Sequence, residues 1–438
     1  MSDRNRVSGR CFLSKARDRG FKVATKIEVA RRLLYDALPN RQRPTESVPV
    51  SSALNRILAE DVRAKISVPA FERSAVDGYA VTAEDTFGSS TINPSLLRWI
   101  GESRIGEMPK FVIGRGESAT IATGAPVPRG ANAVVMVENT TRLDTGDVEI
   151  YSAVAPGQNM SHVGEDVKPG TVVLQMGRKL KPPDLGLLVA LSHRKVLVVR
   201  KPKVGVLSTG NELRFTNPRT AGKIPDVNRP VLMAMVEECG GNPVDLGIAR
   251  DDATQVRRKL RQGLKSVDLL LVTAGTSVGK GDLVPDIINA IGKPGLLVHG
   301  IAMRPSLPTG LAVVNGKPVI SLPGFPVSAM LAFSTFAQPL ILKMLGTLPD
   351  PEAYVKALAT KRIVGISGFR AFVRVQVREE QGRLVAEPLR SGSSILTSLT
   401  RANGLVVVPE NVEGFDEGAE VEVRLFRPVK RGEESGGS

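Results

Sequence analysis

The chain has 438 residues, of which 42% are hydrophobic and 24% charged, and its net charge is +15. That length exceeds one ordinary core and points to several domains of ~150 residues each, while the composition is that of a soluble globular protein with no run of about 18 uninterrupted apolar residues to span a membrane. Two cysteines, Cys11 and Cys239, argue against a disulfide framework or a thiolate metal cluster, and His162, His193 and His299 are too scattered for a zinc site built on neighbouring ligands.

The first 43 residues carry 12 Lys or Arg against 4 Asp or Glu, over half of the net charge. Residues 1–24 therefore read as a basic arm, and the remaining positive charge as modest and spread out. Arg4, Arg6 and Arg10 are followed by further charge and not by an apolar segment, so a secretory signal is not expected and a cytoplasmic location is. A nucleic-acid partner is disfavoured, because only 4% of residues are aromatic and no stacking platform is visible.

From Thr25 to Leu38 the residues Ile27, Val29, Ala30, Leu33, Leu34, Ala37 and Leu38 fit one helix face, which Pro39-Asn40 ends. Residues 67–154 are expected to form an inserted β-rich domain, in which "AVDGYAV" contains Asp77-Gly78, a hairpin-turn pair. Residues 25–66 and 155–200 would make the split domain around it, with a helix after Pro182-Pro183. From 201 to 347 strands alternate with helices: "KVGVLS", a helix from Arg229, "PVDLGIA", a helix from Asp252, "VDLLLV", a helix from Pro285, "LAVV", "PVIS", and a long apolar helix ending at Leu345. This alternation predicts right-handed βαβ units and a mainly parallel sheet, whose ligands gather at the carboxyl ends of its strands. Residues 348–428 return to strand alternation and predict a small β-barrel, and 429–438 a disordered tail.

The predicted strand ends carry the candidate chemistry. "TAGTSVGKGD" (273–282) has three residues, not four, between its first Gly and the Gly-Lys pair, and Gly281 follows Lys280 where a P-loop needs Ser or Thr. It still suits an anion: Gly275 and Gly279 admit the ligand, Thr273, Thr276 and Ser277 offer hydroxyls and amides, and Asp282 can hold a hard cation such as Mg²⁺. The turn "STGNEL" adds Thr209, Gly210 and Glu212. "RDD" adds Asp251 and Asp252, of which at least one should cap a helix. "LPGFPVSAM" places Pro323, Gly324 and Ser328 at a helix start, where free amides attract anions.

Together with "AVDGYAV", "ATGAPVPRGANAVVMVE", "GEDVKPG" and "SGSSILTSLTRANGLVVVPE", these motifs resemble the molybdopterin molybdenumtransferases, the MoeA family, with gephyrin's E domain as a relative. The resemblance runs from about residue 25 to residue 427. It implies a split N-terminal domain with an inserted β-rich domain, a molybdopterin-binding α/β domain and a C-terminal β-barrel, in a homodimer. It also implies a reaction in which adenylyl-molybdopterin and molybdate, or tungstate, give the metal cofactor and AMP with the help of Mg²⁺, and a molybdopterin adenylyltransferase as partner. Asp77, Thr123, Asp166, Glu212, Asp251 or Asp252, and Asp282 match family site positions; Asp282, with Glu212 or an Asp of the pair, is the choice for Mg²⁺. One stretch departs: where many members read Lys-Pro-Gly-Lys-Pro, this chain has "MRPSLPTG" (303–310), so Arg304 keeps one cation, Ser306 replaces Gly and Leu307 replaces the second Lys. That loss motivates an alternative, a non-catalytic pterin-binding or scaffolding paralogue.

Overall fold

A computed structural model describes residues 24–40, 42–214, 222–274, 283–389 and 392–429. The basic arm up to residue 23, Gly275, Thr276, Ser277, Gly279 and Asp282 of the glycine loop, and the tail from residue 430 lie outside them. The chain divides into two compact units, Glu46–Val198 and the remainder.

In the remainder, α1 (Ile27–Asp36) buries Ile27, Ala30 and Leu34, one edge of the expected apolar face. Its entry is tied down by Thr25, whose amide donates to Gly300 O at 2.9 Å. Arg31 of α1 donates to Thr335 O at 2.9 Å.

The Glu46–Val198 unit holds a six-stranded sheet of β1 (Gly78–Val81), β2 (Ser95–Ser103), β3 (Glu117–Ile121), β4 (Ala133–Met136), β5 (Thr140–Arg142) and β6 (Val148–Ile150), in the order β4-β1-β3-β2-β6-β5. Asp77-Gly78 is no hairpin turn: Gly78 opens β1, which pairs with both β3 and β4. The reason is steric, since a Cβ at Gly78 would collide with the carbonyl of Val135, so glycine is needed for close strand approach and not for a turn. A helix, α2 (Pro182–Ala190), starts at the paired prolines as expected, with Asp184 accepting from the Lys181 amide at 2.8 Å.

The α/β part of the other unit contains β7 (Lys203–Thr209), α3 (Asn228–Glu238), β8 (Asn242–Ala249), α4 (Ala253–Ser266), β9 (Leu269–Ala274), α5 (Val284–Ile291), β10 (Pro294–His299), β11 (Met303–Arg304), β12 (Gly310–Val314), β13 (Lys317–Pro323), α6 (Pro326–Ala332) and α7 (Gln338–Leu345). The sheet order is β8-β7-β9-β13-β12-β10; β8, β7, β9 and β13 are mutually parallel, and β12 and β10 complete it antiparallel. Leu269, Leu270, Leu271 and Val272 are all fully buried, as the continuous apolar run of a parallel strand covered on both faces requires. The order 2-1-3 around β7 puts a topological switch between the carboxyl ends of β7 and β9.

A π-helical turn, Phe333–Ala337, joins α6 to α7, so the long apolar helix runs to Leu345 and stops at Gly346 in the left-handed conformation. Among the described residues this is the one helix long and apolar enough to cross a membrane, yet Phe333, Phe336, Leu340 and Ile341 are buried inside the protein. It reads as a core helix.

The last part is a barrel of β14 (Ala353–Ala359), β15 (Arg370–Glu380), β16 (Arg383–Pro388), β17 (Gly404–Val408) and β18 (Glu420–Leu425). Pairings β15-β16-β14-β18-β17-β15 close it, and Val375, Val377, Ala386, Val408 and Val423 fill its interior. β11 adds in parallel to β15, which carries the sheet's strand-end region onto the barrel.

Candidate functional site

Register places Thr209 beside Ala249, Ser208 beside Thr273, and Thr273 beside Leu322, so four predicted ligand turns leave one edge of the sheet. Thr209 and Thr273 set that edge from within and do not offer free hydroxyls to it. Both are buried; Thr209 Oγ1 donates to Thr273 O at 3.2 Å and Thr273 Oγ1 to Ser208 Oγ at 3.2 Å. The next residue, Gly210, has φ of 152°, and its missing Cβ leaves room for the Glu212 carboxylate, whose oxygens lie 2.6 and 2.7 Å from where that Cβ would stand. Glu212 is exposed, and among the described residues no donor reaches its carboxylate.

The two aspartates of "RDD" separate. Asp252 is the N-cap of α4 and accepts from the Gln255 amide at 2.7 Å, whereas Asp251 accepts from the Asn211 amide at 3.1 Å and its own amide returns to Asn211 Oδ1 at 3.2 Å. Asp252 is thus structural, and Asp251 holds the turn that presents Glu212. Asn228, at the start of α3, donates to Gly324 O at 2.7 Å and pins the "LPGF" turn from the other side. No group of three or more metal-ligating side chains occurs among the described residues.

Two further segments grip the first turn of α6. Ser306, with φ of 108° and 3% exposed, donates from Oγ to Ser328 O at 2.7 Å, while its own carbonyl accepts from Thr309 Oγ1 at 2.7 Å. The backbone keeps a glycine-like conformation with a serine in it. Ser306→Gly removes the strain and one hydrogen bond, which offset each other at about 1 kcal/mol each; Ser306→Ala loses the bond and keeps the strain. The alanine variant is expected to melt lower than the glycine variant by the equivalent of about 1 to 2 kcal/mol, and thermal melts that reverse the order would remove the clamp from the account.

From the barrel, Ser393 O accepts from the Val327 amide at 3.2 Å, and Gly392 O accepts from Arg374 Nη2 at 3.4 Å. Arg374 is 4% exposed; among the described residues its Nε has no hydrogen-bond partner, and burial pushes its guanidinium below the usual arginine range. Sequence reasoning missed it, because alternation along β15 puts Arg374 on the barrel's outer face, where an arginine ordinarily meets water. Arg304, by contrast, is exposed and stacks on Phe369 with its guanidinium carbon 5.0 Å from the ring centroid.

In the Glu46–Val198 unit, Asp77 Oδ1 accepts from both the amide and the hydroxyl of Thr123, at 2.7 and 3.0 Å. These two bonds, the amide's first, hold the Asp77 carboxyl below the usual carboxylate range, so it is ionised at neutral pH. Asp166 is exposed on a separate turn anchored by its amide to Val68 O at 3.1 Å. No described hydrogen bond joins it to Asp77.

Fold and site together define a doubly wound α/β module, with polar and glycine-rich turns gathered at the switch between two parallel strands and a β-barrel following it in the chain. Family models match nearly the whole chain: the MoeA N-terminal region (domain I and II) over residues 25–192, a domain described as probable molybdopterin binding over 205–343, and the MoeA C-terminal region (domain IV) over 356–426. The molybdopterin molybdenumtransferase of Bacillus subtilis is 35% identical over 88% of this chain and 91% of its own, and molybdopterin molybdenumtransferase 2 of Mycobacterium tuberculosis 35% identical over 86% and 94%. A crystal structure of a molybdopterin biosynthesis MoeA protein from Pyrococcus horikoshii superposes with a TM-score of 0.79 at 37% identity, covering 93% of this chain and all of that one. The chain belongs to the MoeA family of molybdopterin molybdenumtransferases, transferases of molybdenum cofactor biosynthesis.

Proposed function

We propose that the protein is the metal insertase of this biosynthesis. It takes adenylyl-molybdopterin and molybdate, or tungstate, transfers the metal to the dithiolene, and cleaves the phosphoanhydride with water to release AMP, as a cytoplasmic homodimer supplied by a molybdopterin adenylyltransferase. The observation that carries the reading is the edge between β7 and β9, where Glu212 is folded over Gly210 on a turn locked by Asn211 and Asp251. The "LPGF" turn before α6, which Asn228 fixes, would take the anionic end of the pterin. Arg374, behind that turn, is a cation awaiting an oxyanion and supplies the positive charge that Leu307 no longer does.

A Mg²⁺ ion fits the donor chemistry. Such ions take one or two carboxylates plus substrate phosphates, and Glu212, with Asp282 in the glycine loop, would hold it. When bound it neutralises charge developing on the leaving AMP. Asp77, ionised and oriented by Thr123, and Asp166 would act across the homodimer, each chain's pair positioning water, oxyanion or pterin at the other chain's α/β site.

The test is chromatographic measurement of AMP released from adenylyl-molybdopterin with molybdate or tungstate. Oxyanion-dependent release that falls about a hundredfold in Glu212→Gln, with pterin binding retained, is the expected result. Pterin binding without AMP release with either oxyanion would give the protein a scaffolding role, the reading that Leu307 favours.

A further inference from the structure

Beyond residue 43 the chain carries an excess of seven positive charges, and these are not spread out: α4 alone holds Arg257, Arg258, Lys259, Arg261 and Lys265, with no carboxylate between Ala253 and Ser266. Val256, Leu260 and Gly263 bury one edge of the helix, and Lys259 turns inward to donate to Leu246 O at 2.7 Å. The other four cations are exposed, and among the described residues none is paired with a carboxylate. Arg257 with Arg261, and Arg258 with Arg261, stand one helical turn apart, a self-repelling arrangement where a solvated helix normally intersperses acids. Nor are these cations needed to satisfy the helix's last carbonyls, because Lys317 reaches from β13 to Leu264 O and, at 2.9 Å, to Val267 O.

We propose that the exposed face of α4 docks an acidic protein surface, with carboxylates spaced to meet successive turns of the helix. The patch is about 20 Å long and ends in acid on both sides, at Asp251 and Asp252 before the helix and Asp268 after it. A phosphate backbone would run on past those carboxylates and be repelled, and no aromatic residue lies along the helix for a base to stack on. The amino end of α4 follows the Asp251-Asp252 turn, whose Asp251 bonds Asn211, so a partner seated there stands next to the strand edge that holds Glu212.

The full-length protein is titrated by fluorescence anisotropy at low salt with two probes: a labelled glutamate-rich helical peptide and a short DNA duplex. In the triple variant Arg257→Glu/Arg258→Glu/Arg261→Glu the peptide is expected to bind about tenfold more weakly, and in the corresponding triple Gln variant by an intermediate factor, with duplex binding weakened by a smaller factor in both. Equal peptide binding by wild type and the Gln variant overturns the proposal, and so does duplex affinity that falls more than peptide affinity. If the Glu variant fails to fold, the Gln variant decides.

Discussion

Replacing Arg374 with Met is expected to raise the melting temperature by about 2 °C while lowering oxyanion-dependent turnover about a hundredfold. The opposite signs come from one cause. A guanidinium that is 4% exposed, with an orphaned Nε and one long bond to Gly392 O among the described residues, is a buried charge with no counter-charge among them. Met fills a similar volume without the desolvation penalty, so the resting fold gains. An oxyanion seated between the 392–394 segment and the first turn of α6 would supply the missing counter-charge, so the cost carried by the free protein becomes binding energy with substrate present. Arg370, at the start of the same strand, is the control: it pairs with Glu28 at 2.7 Å and Glu410 at 2.8 Å, and Arg370→Met should lower the melting temperature and leave the molybdate dependence alone. Thermal melts beside AMP release across a molybdate titration read both signs. A destabilised but active Arg374→Met protein would make the residue a structural pillar and remove it from the site.

Arg374 also shows what the sequence conceals. The parallel strands were legible because their burial on both faces demands unbroken apolar runs, and the strand-end turns because glycine and small polar residues cluster where such strands end. What was not legible depends on contacts distant in sequence. Whether Gly78 makes a turn or admits a neighbouring strand is decided by the carbonyl of Val135; which aspartate of Asp251-Asp252 caps α4 is decided by Asn211, 40 residues away; and whether Arg374 meets water is decided by the segment laid over β15. β10, antiparallel at the sheet edge, was missed because its short apolar run between Pro294 and Gly300 carries no period that separates strand from loop. The concentration of charge on α4 was present in the sequence all along, but only the helix turns it into a face.

Arg229→Met is expected to cost about 3 to 5 kcal/mol, a fall in melting temperature on the order of 10 °C. Arg229 is buried at the start of α3 between two carboxylates: Asp226, whose side chain is 2% exposed, at 3.0 Å, and Asp245 at 2.6 Å. Removing the cation strands Asp226 as a charge with no water to turn to. Asp245 matters less, because its side chain is 41% exposed and water screens it. Burial pushes the Asp245 carboxyl up, but the Arg229 hydrogen bond, the Gly247 amide and nearby positive charge outweigh it and hold the group below the usual aspartate range. A depressed carboxyl stabilises above its unfolded value and loses that contribution as pH falls through the folded one, so below about pH 4 the wild type should lose stability more steeply than the variant. The double variant Asp226→Asn/Arg229→Met recovers part of the loss, since no buried charge is left unpaired; a cycle showing simple additivity would refute the coupling. Function follows the same residue, because Asn228 is its neighbour on α3 and donates to Gly324 O at 2.7 Å. When the ion pair goes, the amide that pins the ligand turn loses its anchor, so the single variant should bind pterin more weakly even at temperatures where it remains folded.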